Sequence, residues 1–442
     1  MEKPVIKKGV KKAIYCNLPY IILMTLFIVI MFKIDFNYGD EIVHKTQFLG
    51  LTPLQLVIRH YKEWGSFNTS VFLDYFFVFV HENFFRISSI LIIILALFSV
   101  DQLVNSEGDI AVKWIVGIFF LLYPYYHMGS AGWIVTSVYY FFPLAFALYA
   151  STSITRNIYG KKINYFFSSL SIVLATGSIQ VLLILSGAFI VFSIYFYLKK
   201  KEYVFFVVEA IMSLLGVVTY YLSPGVKNRY GLEIISCFQD FEMLSITDKI
   251  NNGLIDTLQH FVYQPNVFFT FFTFLIFLYV LLKDYGILEK IIGTIPFIFV
   301  LFFGTLRGVG AGIFPQVVNG QDINIYNYFV LAGYTKIFIC IFVFVITCAG
   351  VYIVFQNEEK AIVMVLVVVA GFLSRMIMCF SPTLYASSYR TFIYMYFCLI
   401  VTGSKVGGEL IKIISVKQKN VLISISSIIA MIFYMNSLLI VN

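Results

Sequence analysis

Asp40 and Glu41 stand side by side in a Gly39-Asp40-Glu41 triplet, a few residues past the first long apolar run. Two carboxylates at a membrane-water boundary could hold a divalent cation, or take a proton from a hydroxyl. The competing structural reading is a solvated loop start. Further along, Arg59-His60-Tyr61-Lys62-Glu63-Trp64 mixes phosphate-binding side chains with an aromatic suited to headgroup depth. An amphipathic interfacial helix would explain the same residues. Ser223-Pro224-Gly225-Val226-Lys227-Asn228-Arg229-Tyr230 opens with a turn dipeptide and then offers two cations and an amide. Arg binds phosphate bidentately and Lys as a point charge. Without a phosphate ligand, that stretch reads as a loop against headgroups. Arg375 lies within an apolar run, where a guanidinium is costly and marks a site unless it snorkels out. Ser381-Pro382-Thr383 and Ser387-Ser388-Tyr389-Arg390 follow it with hydroxyls and a second guanidinium.

The elements that must position these residues are membrane helices. The 442 residues are 60% hydrophobic and 12% charged, well under the usual charge share of a soluble domain. The apolar residues fall in runs long enough for a hydrocarbon core of about 30 Å. The +8 net charge does not indicate nucleic acid, because Lys and Arg cluster at the ends of these runs. The expected fold is all-α, a single integral membrane domain over residues 1–442 with about thirteen transmembrane helices. Lys7, Lys8, Lys11 and Lys12 precede the first span and place the N-terminus in the cytoplasm, as a retained helix rather than a cleaved signal. The threading puts a first outer loop at about 33–86 and a second long outer loop at about 223–266. Within the first, Val71 to Val80 is too short to cross and is expected to lie in the interface or re-enter.

In this threading His44, His60, His81, His127 and His260 all face outward, so any reaction faces outward too. Familiar phosphate-loop, dinucleotide, zinc-protease and paired-Cys patterns do not occur. His81-Glu82 has no spaced partner to suggest zinc, and Asn68-Thr69-Ser70 is a glycosylation sequon by pattern. Of six Cys, five lie in or beside apolar segments and Cys237 lies in the second long loop, so no disulfide framework is expected.

The chain resembles a family of bacterial multi-spanning proteins of unassigned activity, close to the O-antigen glucosyltransferase-like group and similar to GT-C fold glycosyltransferases. The matching stretches are Gly39-Asp40-Glu41, Arg59 to Trp64, and Gly132-Trp133-Ile134-Val135-Thr136-Ser137 through Pro143. They continue with Ser223 to Tyr230, and with Ser374-Arg375 through Ser381-Pro382-Thr383-Leu384-Tyr385-Ala386-Ser387 to Arg390-Thr391-Phe392. They span nearly the whole chain in the family's order. The resemblance implies a polyprenyl-phosphate-linked sugar donor, a cell-envelope glycan acceptor and an active site on the outer face of the bacterial plasma membrane. It implies an acidic motif in the first outer loop, matched by Asp40 and Glu41, with Asp40 the expected general base. An interfacial helix in that loop is part of the same pattern. The leaving lipid phosphate would need cations, for which Lys227, Arg229, Arg375 and Arg390 are the candidates, with Arg59 and Asn228 as further phosphate-binding groups. Trp64, His127, Trp133, Ser381 and Thr383 are the expected acceptor or loop contacts. A divalent cation, if one is used, would sit at Asp40 and Glu41.

The chain departs from the pattern at three places. Phe67 stands where the family carries Arg, Tyr139 where it carries Asn, and Gly177-Ser178-Ile179-Gln180 where an Asn-Gln-Glu-Gln-like run is common. These losses imply a changed acceptor specificity or an inactive relative. Two other readings stay open: a repeat-unit polymerase of capsule or O-antigen, and a transporter or flippase for a lipid-linked sugar.

Overall fold

The computed structural model describes residues 14–66, 69–79, 82–318 and 331–440. The basic leader residues, Phe67, Asn68, Val80, His81 and positions 319–330 lie outside these. Every regular element among the described residues is a helix. In lipid, a helix satisfies each backbone N–H and C=O within its own segment, which an open strand cannot do.

In chain order the helices used below are α1 Leu18–Lys33, α2 Asp40–Gln47, α3 Pro53–Glu63, α4 Thr69–Phe79, α5 Glu82–Val104 and α6 Ile110–Leu122. They continue with α7 Trp133–Ile158, α8 Tyr165–Gly177, α9 Ile179–Leu198, α10 Val204–Leu222 and α11 Pro224–Cys237. The remainder are α12 Ile246–Val262, α13 Val267–Leu282, α14 Ile287–Thr305, α15 Leu331–Val354, α16 Glu358–Phe380, α17 Ile393–Ile413 and α18 Val416–Ile440.

Eight of the described helices are long and apolar enough to cross a bilayer, and nine if the bent pair α12–α13 is one span. The chain is thus built as a multi-pass membrane protein. Its outward surfaces agree: Ile211, Leu215, Val218 and Leu222 form an exposed stripe on α10, and Val421, Ile425, Ile428, Ile432, Met435 and Leu439 form one on α18. Such stripes are stable against acyl chains and costly in water. Five other apolar stretches among the described residues are helical without meeting that test. Helices α1, α4, α6 and α8 are short, and α17 carries Lys405, Glu409 and Lys412.

The helices sort into two compact units, residues 1–228 with 419–442, and residues 229–418. In the first unit α9 and α10 form a hairpin, α5 and α8 pack on α7, and α1 packs on α6 and α5. In the second unit α16 packs on α17, and α14 packs on both α13 and α15.

The two stretches read from sequence as long loops are largely helical. The first holds α2, α3 and α4. Helix α3 is fixed by a capping box in which Thr52 Oγ1 accepts from Gln55 N and Gln55 Oε1 accepts from Thr52 N at 2.9 Å. Helix α4, with 11 residues, rises only about 16 Å. The second stretch holds α11, a short turn at Gln239–Met243, and α12. Ser245 and Asp248 form the capping box that starts α12, and that helix meets α13 at 73°.

Candidate functional site

In the first unit, the start of α2 is clamped to the start of α7. Asp40 N donates to Ala131 O at 2.9 Å, and Ile134 N donates to Glu41 Oε1. Two glycines make this approach possible. Gly39 has φ +64, and a Cβ there would lie 2.8 Å from the Ala131 carbonyl. Gly132 has φ +102, and its Cβ would meet Glu41 Oε1 and Tyr38 O, both at 3.1 Å. The acidic triplet and the Gly132-Trp133-Ile134 stretch therefore form one structure, although 93 residues separate Glu41 from Ile134.

The two carboxylates differ in setting. Glu41 is fully buried, while Asp40 is half-buried at the helix start. Desolvation raises the Glu41 carboxyl from the ordinary 4.5 to about 8; the Ile134 N–H, Lys45 and His44 oppose the rise and Asp74 adds to it. Glu41 Oε2 is buried without a hydrogen-bond partner. Glu41 is thus a neutral, scaffold-bound group near pH 7, and Asp40 is the accessible carboxylate.

A third carboxylate joins them from α4. Asp74 is fully buried, and its Oδ2 lies 2.8 Å from His44 Nδ1. The contact becomes an ion pair when the imidazole is protonated. Burial by itself lowers the His44 pKa, but Asp74, with Asp40 and Glu41, outweighs it and the net shift is upward. Among the described residues no three His, Cys, Asp or Glu side chains are arranged to hold a metal ion.

Helix α4 is held in place by a π-turn at Ser137–Phe141 in α7. Pro143 has no N–H to return to Val138 O five residues back, and Ser70 Oγ donates to that carbonyl instead, at 2.9 Å. Gly177 closes the packing: a Cβ there would lie 2.0 Å from Ser70 Oγ and 2.9 Å from Pro143 Cγ. Tyr139 stacks on His60 with ring centres 6.4 Å apart. Tyr139 and the Gly177 turn are thereby built into this packing. Phe67 lies outside the described residues.

The end of α3 meets the start of α11. Ser223 Oγ donates to Gly65 O at 2.6 Å, and Asn228 Nδ2 donates to Lys62 O at 2.9 Å. A Cβ on Gly225 would clash with Tyr61 O at 2.6 Å. Trp64 and Lys227 are exposed at this junction. Arg59 pairs with Glu63 at 2.8 Å and Arg229 with Glu233 at 2.6 Å, each one turn along its own helix. His127 and Trp133, expected as acceptor or loop contacts, are buried. His127 packs edge-on against Tyr126, and Gly129 leaves room for the Trp133 ring.

In the second unit Arg375 does not snorkel. It is 1% exposed, pairs with Asp256 of α12, and donates to Leu384 O at 3.0 Å. Its guanidinium also lies 4.6 Å from the Phe392 ring centre. The chain from Ser381 to Ser387 is knotted by hydroxyls, with Thr383 Oγ1 2.8 Å from Ser381 Oγ and 2.9 Å from Ser387 Oγ. Arg390 is half-buried on the turn that follows. At the α12–α13 bend, His260 Nε2 and Asn266 Nδ2 reach Tyr396 Oη at 2.9 and 3.0 Å, and His260 Nδ1 reaches Gln264 Oε1 at 2.8 Å.

Sequence reasoning missed Asp74, Asp256 and the contact of His44 with Asp74. Asp74 carried a usable signal, since a carboxylate inside an apolar stretch is costly and demands a partner. Asp256 was hidden by the loop reading, which the Ser245-x-x-Asp248 capping pattern could have corrected. No family model matches the chain, and comparison with curated proteins and with solved structures gave no match.

Proposed function

We propose that the chain is a GT-C-like membrane glycosyltransferase. It spans the plasma membrane about thirteen times with a cytoplasmic N-terminus, and transfers a sugar from a polyprenyl-phosphate donor to a cell-envelope glycan at the outer face. The observation that carries the reading is the clamp at Gly39-Asp40-Glu41, which leaves one accessible carboxylate beside a buried one. In the proposed step, the acceptor oxygen attacks the anomeric carbon and its proton passes to Asp40. The bond from that carbon to the phosphate oxygen breaks, and the electron pair leaves with the lipid phosphate. Lys227 and Asn228 beside Trp64 are the groups offered to that phosphate, because Arg375 is committed to Asp256 and the Leu384 carbonyl.

The bent α12–α13 pair favours a second reading, a transporter of a lipid-linked sugar, since broken helices with polar groups at the break line such sites. Mass spectrometry of envelope polysaccharide and of the polyprenyl-lipid fraction separates the two. Cells lacking the gene should lose a sugar from the glycan and accumulate the lipid-linked sugar. Restoring the gene as Asp40→Asn should leave both defects in place at normal protein level. Full rescue by Asp40→Asn would remove the general-base assignment and favour the transporter.

A further inference from the structure

Transfer leaves a proton on Asp40, and that proton must go somewhere before the next cycle. The surroundings of Asp40 narrow the choice. Glu41 adjoins it in sequence but is already protonated near neutral pH, with Oε1 engaged by Ile134 N–H. Lys45 is directed to Phe36 O at 3.2 Å, Asn37 Oδ1 at 2.9 Å and Glu82 at 3.9 Å. His44 is four residues from Asp40 on α2, hence a neighbour on the same helix face. Its Nδ1 is taken by Asp74, and the side chain keeps 19% of its surface open.

Resting on the glycosyltransferase reading, we propose that the His44–Asp74 pair is a second proton-transfer station. Asp40 hands the acceptor's proton to His44 Nε2 through a water at the mouth of the site, and Asp74 orients the ring and balances the imidazolium. Asp40 then returns to the carboxylate, and the imidazolium loses the proton to bulk water. A buried carboxylate behind a histidine does the same work in the hydrolase triads. A second observation supports the arrangement. Asp74 Oδ1 is buried without a hydrogen-bond partner, so His44 stands beside an unbalanced buried carboxylate that favours its charged form. The groups that act on His44 are Asp40 and Glu41 from its own helix and Asp74 from α4.

The test uses washed membranes from cells expressing the full chain, which carry their own donor and acceptor. Sugar transfer is followed by mass spectrometry from pH 5 to 9. An imidazolium cannot accept a proton, so wild-type transfer should fall on the acid side. Acylation of His44 by diethyl pyrocarbonate, read by peptide mass spectrometry, should show the same midpoint, because only neutral imidazole reacts. Asp74→Asn should move both midpoints to lower pH. His44→Gln should lower transfer about 100-fold and remove the acid limb. The proposal is overturned if His44→Gln membranes transfer normally, or if the wild-type labelling and transfer midpoints differ by more than one pH unit. That second comparison needs no variant to fold. Wild-type membranes without any transfer would instead overturn the glycosyltransferase reading itself, and the relay with it.

Discussion

Replacing Glu41 by Gln should stabilise the protein at neutral pH, the reverse of what an ion-paired carboxylate would show. Gln keeps the Oε1 acceptor for Ile134 N–H and the shape of the buried side chain. What changes is the proton. Desolvation raises the folded-state carboxyl from 4.5 to about 8, so at pH 7 the folded chain holds a proton that the unfolded chain has released. Holding it costs 2.3RT for each pH unit above 4.5, or about 3 kcal/mol at pH 7. The sign follows from the raised value. The penalty is absent below pH 4.5, grows as pH rises, and levels off above about 8. Gln carries no such penalty, so the variant should gain about 3 kcal/mol at pH 7 and nothing near pH 4.5. For a unit of this size that is a midpoint about 6–12 °C higher. Thermal denaturation of the full chain in detergent at the two pH values measures it. A lower midpoint for Glu41→Gln at pH 7 would refute the reasoning, because it would mean that Glu41 is ionised and bound by a charge-assisted hydrogen bond.

Two further substitutions probe the framework. Gly132→Ala places a Cβ at φ +102, 3.1 Å from Tyr38 O and Glu41 Oε1, and should cost about 1–3 kcal/mol, seen as a lower thermal midpoint and as earlier proteolysis at the α2–α7 clamp. Arg375→Met leaves Asp256 without its partner and should cost about 3–5 kcal/mol, while Arg375→Met combined with Asp256→Leu should recover most of the loss; a double variant no better than the single would show that the loss comes from the other contacts of Arg375 and not from an uncompensated Asp256 charge.

Much of the architecture was legible in the residues. Thirteen apolar stretches read from sequence are each helical, because a bilayer leaves helix as the way to pair every backbone group within one segment. The short Val71 to Val80 stretch was recognisable as too short to span, and α4 ends at Phe79. The helices within the polar segment 223–266 were not legible, for a physical reason. Amphipathic helices expose polar side chains on one face, so mean polarity alone resembles a loop, and the capping box of α12 carries the distinguishing information.

The acidic triplet and the glycine-led stretch at Gly132 were each visible as residues with chemical potential, but their union was not. Asp40 and Glu41 are adjacent in sequence and equivalent in type, and only the fold makes one a half-exposed carboxylate and the other a buried acid. The difference comes from desolvation, set by what packs above each side chain. The same holds for Arg375, whose type and apolar setting announced an unusual group. Its partner, Asp256, lies 119 residues away. Sequence determined which groups could not lie in lipid unpaired. Tertiary structure decided the pairings, because burial and ion pairing act over a few ångströms of space, whatever the distance along the chain.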